Sequence, residues 1–394
     1  MYREIVRDRY IIQYVVSYNS FNFANGLAGS FLNILFFSAG NIVTVIEYQL
    51  AYQISQLLSF ALSGIMANYV PTKFIYSLSS PLRAVSLIGS VLIGGIFMNQ
   101  LFFGLVYGIS SGLFWAGNAI ISMEVSRGKD RLAFLSFNST VAYIASLASP
   151  IIGGVALQIT PFTGTMRYVT VFAATAALLV YSGASGFILN VTEKEHPKIR
   201  FLDSIRANKL VKWQYKSYFY FSSFYGLALS IVLPVYIFTI TGSYTVVGIL
   251  VASMAASSAI GNILTPRILK RNSNNLLPYL YSLAIILAST AFIGNFHIPF
   301  VLLFLAGDVA LFLTAPMNNR SMSNFMNSVD LLTTSFPFWI NREYYLLAGR
   351  YTALITLLAV FIVSGFSHSL YVLTIMSLTV LPMIPAINAT SQVS

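Results

Sequence analysis

The sequence predicts an all-α membrane protein whose twelve transmembrane helices form two six-helix bundles that repeat one another. Of its 394 residues, 57% are hydrophobic and only 8% are charged, whereas about a quarter of the residues of a soluble domain are charged. Apolar runs of about 17–25 residues, long enough to cross the hydrocarbon core of a bilayer, recur along the chain. Short motifs also recur in the same order in both halves, which predicts an internal repeat.

The apolar runs define the helices and the longest charged connection defines the domains. Residues 191–216 are predicted to be a basic cytoplasmic linker between an N-terminal bundle, residues 1–190, and a C-terminal bundle, residues 217–394. The twelve predicted spans are residues 17–39, 44–66, 79–98, 100–122, 138–159, 168–190, 217–240, 245–265, 277–294, 298–317, 347–366 and 369–388.

The basic residues predict the orientation. Of the 22 Lys and Arg residues, all but Arg167 are predicted to lie on the same side of the membrane as the N-terminus. They fall in loops or at helix ends, as Lys73, Arg83 and Arg127 do. Because basic loops stay inside, both termini are predicted to be cytoplasmic and the protein to lie in the cell membrane. The net charge of +11 is spread over these loops, which favours lipid headgroups over nucleic acid as the partner.

Three repeated motifs support the two-bundle organisation. Four of the five residues of Gly26–Ser30 recur at Gly226–Ser230, and the glycine-to-lysine spacing of Gly64–Lys73 recurs at Gly261–Lys270. In the third motif an acid precedes an arginine by seven positions, in Glu124 with Arg131 and in Glu343 with Arg350. Parallel six-helix repeats of this kind are found in transporters.

Through these motifs the chain resembles the major facilitator superfamily over essentially its whole length. The loop Gly64–Lys73 is similar to the family signature between helices 2 and 3, with Asn68 where the family has an acid. The string Ser149–Gly154 resembles the antiporter motif of helix 5, with Ser149 in place of a glycine. The helix-4 arginine of drug/proton antiporters has no counterpart in Leu101–Gly112.

The resemblance implies a cytoplasmic gate built from charged and amide side chains. Such bonds form in one conformational state and break in the other. The alternative is that these residues are solvent-exposed loop charges, each of which contributes under about 1 kcal/mol to stability. The candidates are Glu124, Arg131, Glu343, Arg350, Asn68, Lys73 and Lys270.

Asp308 is the strongest candidate for a mechanistic residue. It falls near the middle of predicted helix 10, with no flanking charge. A carboxylate at the bilayer centre costs at least about 2.5–3.5 kcal/mol on insertion scales, so it usually faces a cavity or a partner. We interpret Asp308 as a proton-coupling or substrate-binding acid; the alternative is a protonated acid hydrogen-bonded to a neighbouring helix.

Polar stripes mark candidate substrate contacts. On helix 1 the asparagines follow helical spacing and form one face. The resemblance implies that helices 1, 4, 7 and 10 line a central path, although interhelical packing also selects small and amide residues. The candidates are Asn22, Asn25, Asn33, Ser111, Trp115, Asn118, Ser222, Tyr225 and Asn318. By contrast, Glu47 is predicted to form a capping box with Thr44 at the start of helix 2.

Together these features predict a secondary transporter for a small organic solute, with proton coupling through Asp308. The open alternatives are an uncoupled facilitator and an efflux antiporter for drugs or other hydrophobic compounds. A non-transporting receptor or scaffold is a further class. An intramembrane enzyme is disfavoured because no acid cluster is visible, and no His/acid spacing predicts a metal site. We therefore expect no cofactor, and a monomer in contact with lipids.

Overall fold

The computed structural model describes residues 7–92, 99–189, 233–271, 322–327 and 336–364, together with residues 5, 231 and 319. Within these ranges every regular element is helical, which agrees with the predicted all-α fold class. The long helices are α1 (Arg9–Ala39), α2 (Ile42–Met66), α3 (Thr72–Leu92), α4 (Gln100–Ser126), α5 (Arg131–Ile159), α6 (Val169–Phe187), α7 (Leu233–Thr241), α8 (Tyr244–Arg271) and α9 (Phe336–Ser364).

Six helical segments of the described chain are long and apolar enough to cross a membrane. They are Thr72–Leu92, Gln100–Ser126, Arg131–Ile159, Gly164–Phe187, Tyr244–Leu264 and Phe336–Val363. The two ends of each helix are called cytoplasmic or outer according to the side of the membrane on which the basic residues predict them to lie.

Several helices extend further at their cytoplasmic ends than hydropathy predicts. Helix α1 begins at Arg9 instead of residue 17, and α5 begins at Arg131 instead of residue 138. Each start is fixed by an aspartate cap: Asp8 accepts from the backbone N–H groups of Tyr10 and Ile11, and Asp130 accepts from that of Ala133. Hydropathy detects only the apolar part of a helix, whereas capping determines where the backbone becomes helical.

Helices α2 and α4 pack with their backbones in contact through three glycines at four-residue spacing. A Cβ atom on Gly104 would lie 2.5 Å from the carbonyl oxygen of Tyr48, and one on Gly108 would lie still closer to that of Tyr52. Gly112 meets Gln56 in the same way. This is the small-residue packing that membrane helices use, because lipid provides no hydrophobic force between them.

The two halves of the chain meet along α5 with α8 and along α2 with α9. Gly154 of α5 leaves room for the backbone of α8, because a Cβ there would lie 2.5 Å from the carbonyl oxygen of Tyr244. The Phe60 ring of α2 stacks on Phe336 of α9 at a centroid distance of 5.5 Å. The string Ser149–Gly154 that resembles the antiporter motif therefore lies at an interface between the halves.

Two sequence-based placements differ from the structure. Arg83, predicted at a cytoplasmic helix end, lies near the middle of α3 and is 3% exposed. The predicted span began late because buried serines lower the hydropathy of the first turns of α3. Glu47 does not cap α2: Asn41 and Thr44 form the capping box, and Glu47 accepts a hydrogen bond from Gln100 of α4.

The contact between α2 and α4 predicts a position-specific cost for a single methyl group. We expect Gly108→Ala to lower the free energy of unfolding by roughly 1–3 kcal/mol, because overpacking forces the two backbones apart. Gly29→Ala is the control, since no atom of the described residues lies within 4 Å of a Cβ at that helical position; alanine there should be neutral or slightly stabilising. Thermal unfolding of the purified variants in detergent checks this, and equal unfolding temperatures would contradict it.

Candidate functional site

A cavity whose wall includes several amide, hydroxyl and arginine side chains lies between the two halves of the chain. Its volume is about 450 Å³, and helices α1, α2, α4, α5, α8 and α9 all contribute to its wall. The three asparagines of the predicted helix-1 stripe line it, namely Asn22, Asn25 and Asn33. Their contact with a solute stays a prediction, but their helical spacing does bring them to one wall.

Helix α2 supplies the facing wall with residues that the sequence analysis did not single out. Gln49 and Gln53, four residues apart, line the cavity together with Tyr48 and Tyr52. Gln49 Nε2 donates to Asn33 Oδ1 at 2.9 Å and so links α2 to α1. The signal was present in the sequence, because polar side chains at this spacing share one face of a helix.

Arg83 lies directly behind this wall and connects three helices. Its Nη1 donates to Asn25 Oδ1 at 2.9 Å, its Nε donates to Ser110 Oγ at 3.3 Å, and its Nη2 contacts Ser111 Oγ. Among the described residues these partners are all neutral. Since a guanidinium has only donors, three well-placed oxygens can satisfy much of its capacity without a carboxylate.

Two aromatic rings hold the Arg83 guanidinium from its faces. Its Cζ lies 4.5 Å from the ring centroid of Phe21 and 4.4 Å from that of Tyr107. The Tyr107 hydroxyl also donates to Asn25 Oδ1, at 2.8 Å. Cation–π contacts are worth about 2 kcal/mol or more when desolvated, so the rings offset part of the cost of burying this charge.

Arg350 lines the cavity from the second half of the chain. Helix α9 begins at Phe336, eleven residues before the predicted span, so that Arg350 lies near the middle of the helix. Its Nη1 donates to Gln53 Oε1 at 2.9 Å. The neighbouring Tyr351 hydroxyl donates to the carbonyl oxygen of Leu50 at 2.7 Å. Both bonds join α9 to α2, across the two halves.

The remaining gate candidates lie at the cytoplasmic ends of the helices. Glu124 pairs with Arg127 at 3.0 Å, and Glu343 pairs with Arg342 at 2.8 Å. Arg131 is buried and reaches across the halves, where its Nη1 donates to Asn327 Oδ1 at 2.9 Å. Asn68 lies in the turn after α2, and Lys73 in the first turn of α3. The gate role of all these residues stays a prediction.

The predicted residues of α4 lie outside the cavity wall, in the packing of the first half. Ser111 contacts Arg83. Trp115 packs edge-on against Tyr18 of α1 at a centroid distance of 6.4 Å, and Asn118 accepts from the Tyr14 hydroxyl at 2.7 Å. These contacts match the alternative reading of the stripe, interhelical packing. Four candidates fall outside the described residues, namely Asp308, Ser222, Tyr225 and Asn318. The side chain of Lys270 also falls outside them.

A bundle of membrane-spanning helices with a cavity between its two halves is the architecture expected of a transmembrane transporter. The family model of the major facilitator superfamily matches residues 10–337 of this chain. The chain therefore belongs to the major facilitator superfamily: it is a multi-pass membrane transporter and not an enzyme.

Known structures share this fold across almost the whole chain. A variant of the Escherichia coli fucose:proton symporter FucP has a TM-score of 0.72 at 12% identity, covering 98% of this chain and 100% of FucP. The E. coli xylose transporter XylE has a TM-score of 0.70 at 13% identity, covering 94% and 95%. For a variant of the nucleoside transporter NupG the TM-score is 0.67 at 15% identity, covering 97% and 100%.

A sequence relative comes from Bacillus subtilis. The uncharacterized protein YqgE is 22% identical over 346 residues, which cover 85% of this chain and 78% of YqgE.

The Arg83 site predicts that a charge-conserving substitution is the more harmful one. Arg83→Lys keeps a buried charge but cannot reach three oxygens or stack between two rings, whereas Arg83→Met removes the charge and keeps much of the volume. We expect Arg83→Lys to lower the free energy of unfolding by about 2 kcal/mol or more, and Arg83→Met by less. Thermal unfolding in detergent measures both.

Arg127→Lys is the matched control for this comparison. Arg127 forms an ion pair with Glu124, three residues earlier near the helix end, and its side chain is 35% exposed. The substitution should change stability by under about 1 kcal/mol. If Arg83→Lys proves at least as stable as Arg83→Met, the charge itself and not the geometry of its partners holds the site together.

Proposed function

We propose that this transporter carries a small polar organic solute by alternating access, and that the cavity between its halves is the solute site. The observation that carries the proposal is that both halves supply polar side chains to one cavity, with Asn25 and Gln53 on one side and Arg350 on the other. A site shared between halves can change the side on which it opens when one half rocks against the other.

Bonds at both ends of the interface support alternating access. At the cytoplasmic end Arg131 donates to Asn327. At the outer end the hydroxyl groups of Tyr168 and Tyr244 lie 3.1 Å apart, and the Tyr244 backbone N–H donates to Gln158 Oε1 at 3.1 Å. A neutral bond of this kind is worth about 1 kcal/mol and a charged one about 1.5–3 kcal/mol, so the polar contacts at either end impose only a moderate cost on opening.

The wall chemistry favours a polar solute over a hydrophobic one. Amide and tyrosine groups provide donors and acceptors for hydroxyl and carbonyl groups, and the ring faces cover the apolar parts of a ligand. The similar structures include a fucose:proton symporter, a xylose transporter and a nucleoside transporter. We infer a solute of comparable size for this chain, carried across the cell membrane by a monomer whose termini lie in the cytoplasm.

Proton coupling is proposed to depend on Asp308. A lone acid at the centre of a membrane helix can be charged in one state and neutral in the other. An uncoupled facilitator, which would move solute only down its gradient, is the competing function.

Coupling is tested with purified protein in liposomes that carry a proton gradient. Asp308→Asn should abolish uphill accumulation of the transported solute and retain exchange across the membrane. Asp8→Asn is the control, because it removes one negative charge outside the membrane and leaves an asparagine that can still cap α1. Equal uphill transport by Asp308→Asn would rule out this coupling role, and no uphill transport by the wild type would identify a facilitator.

Alternating access is tested by labelling a single cysteine, since the chain contains none. Gly29→Cys places the reporter on the cavity wall, where a side chain has space. With a membrane-impermeant maleimide outside, Tyr168→Phe should increase the labelling rate and Arg131→Gln should decrease it. Tyr168→Phe loses roughly 1 kcal/mol from the outer end, or about fivefold in the ratio of open states. Arg131→Gln loses about 1.5–3 kcal/mol or more from the cytoplasmic end, because its charged Nη1 donates to both Met326 and Asn327.

Lys129→Gln is the control for the labelling experiment, because the described ion pair of that side chain is with Asp8, within its own half of the chain. Its labelling rate should match that of the reporter protein. Parallel changes for Tyr168→Phe and Arg131→Gln would contradict an exchange between two open states.

A further inference from the structure

Two amide side chains of the cavity wall have their oxygen atoms occupied by arginines. Asn25 Oδ1 accepts from Arg83 Nη1 at 2.9 Å and from the Tyr107 hydroxyl at 2.8 Å. Gln53 Oε1 accepts from Arg350 Nη1 at 2.9 Å. The two amides lie on different helices, α1 and α2, and both line the cavity.

The arginines fix which end of each amide is left for a ligand. A guanidinium has no acceptor, so only the oxygen of an amide can face it, and a reversed amide would place two donors together. The nitrogen atoms Asn25 Nδ2 and Gln53 Nε2 have no hydrogen-bond partner among the described residues. Each carries two N–H donors, and the cavity is the open space next to both side chains.

Arg350 adds charge to these donors. It reaches the cavity from α9, and the described part of the wall holds no aspartate or glutamate. One of its guanidinium nitrogens is engaged with Gln53, which leaves other N–H groups of its five for a ligand. The described wall therefore presents one positive charge together with two amide donor groups.

Resting on the proposed transport function, we propose that the solute carries a single carboxylate, which binds Arg350 together with the amide nitrogens of Gln53 and Asn25. A carboxylate matches a guanidinium in geometry, and its two oxygens accept several hydrogen bonds at once. One negative charge balances the one cation of the described wall. Arg83 acts as a positioning residue, because it holds Asn25 with its amide nitrogen available.

The proposal is tested with matched pairs of solutes that differ only in one carboxylate, such as glucose with glucuronate and propane-1,2-diol with lactate. Thermal shift of the purified protein selects the pairs that bind, and counterflow in liposomes measures transport of both members. We expect the acid of at least one pair to stabilise and to be transported, with the neutral member at least tenfold weaker. Losing one charge-assisted contact corresponds to about 10- to 100-fold in affinity.

Two substitutions separate the charge from the fold. Arg350→Gln should weaken binding of the acid by tenfold or more and leave the neutral member unchanged. Gln53→Glu keeps Arg350 but places a protein carboxylate beside it, so it should weaken binding of the acid to a similar extent. Arg127→Gln removes the same charge at a cytoplasmic helix end where the arginine pairs with Glu124, and should leave both solutes unaffected.

The outcomes distinguish this proposal from the transport function beneath it. If a neutral member shows saturable transport at a rate equal to or above that of its acid, the proposed carboxylate binding is wrong, while the proposed transport function stands. Binding of an acid that Arg350→Gln leaves unchanged would overturn the role of Arg350. Absence of saturable transport for both members of every pair would count against the proposed function itself.

Discussion

The structure depends on one constraint: a cation buried among membrane helices must find oxygen atoms for its donors. Arg83 meets it with a side-chain oxygen from α1 and two from α4, while aromatic rings from the same two helices cover its faces. The positions of α1, α3 and α4 are thereby coupled to one side chain. Asn25 is coupled as well, because its oxygen completes the set, and so the chemistry of the cavity wall follows from a residue that lies behind it.

The sequence predicted the parts of this fold that depend on averages over many residues. The helical fold class follows from composition, and the polar stripe of α1 follows from the spacing of Asn22, Asn25 and Asn33. The family was predicted from the resemblance of its motifs to a known family. Averages fail for single charges. Arg83 and Arg350 were assigned to helix ends because polar residues in the preceding turns lower the hydropathy and make the predicted spans start late, although each arginine lies near the middle of a helix.

The partners of the charged side chains also could not be predicted from the sequence. The spacing of Glu124 with Arg131 repeats in Glu343 with Arg350, yet both glutamates contact an arginine close by on their own helix or at its end. The seventh-position arginines instead reach amide side chains on other helices, Arg131 to Asn327 and Arg350 to Gln53. Which partner a long side chain selects depends on tertiary contacts, and a repeat in sequence does not encode them.

The close packing of α2 against α4 has a consequence for how a ligand could be held. Backbones in contact at Gly104, Gly108 and Gly112 cannot slide without steric overlap. Gln53 of α2 therefore moves as one body with Tyr107 of α4, whose hydroxyl donates to Asn25. Arg350 belongs to the opposite half. A rocking motion would therefore leave the neutral donors of the site at constant separation while the positive charge approaches or withdraws, so that affinity would be switched by electrostatics rather than by remodelling the pocket.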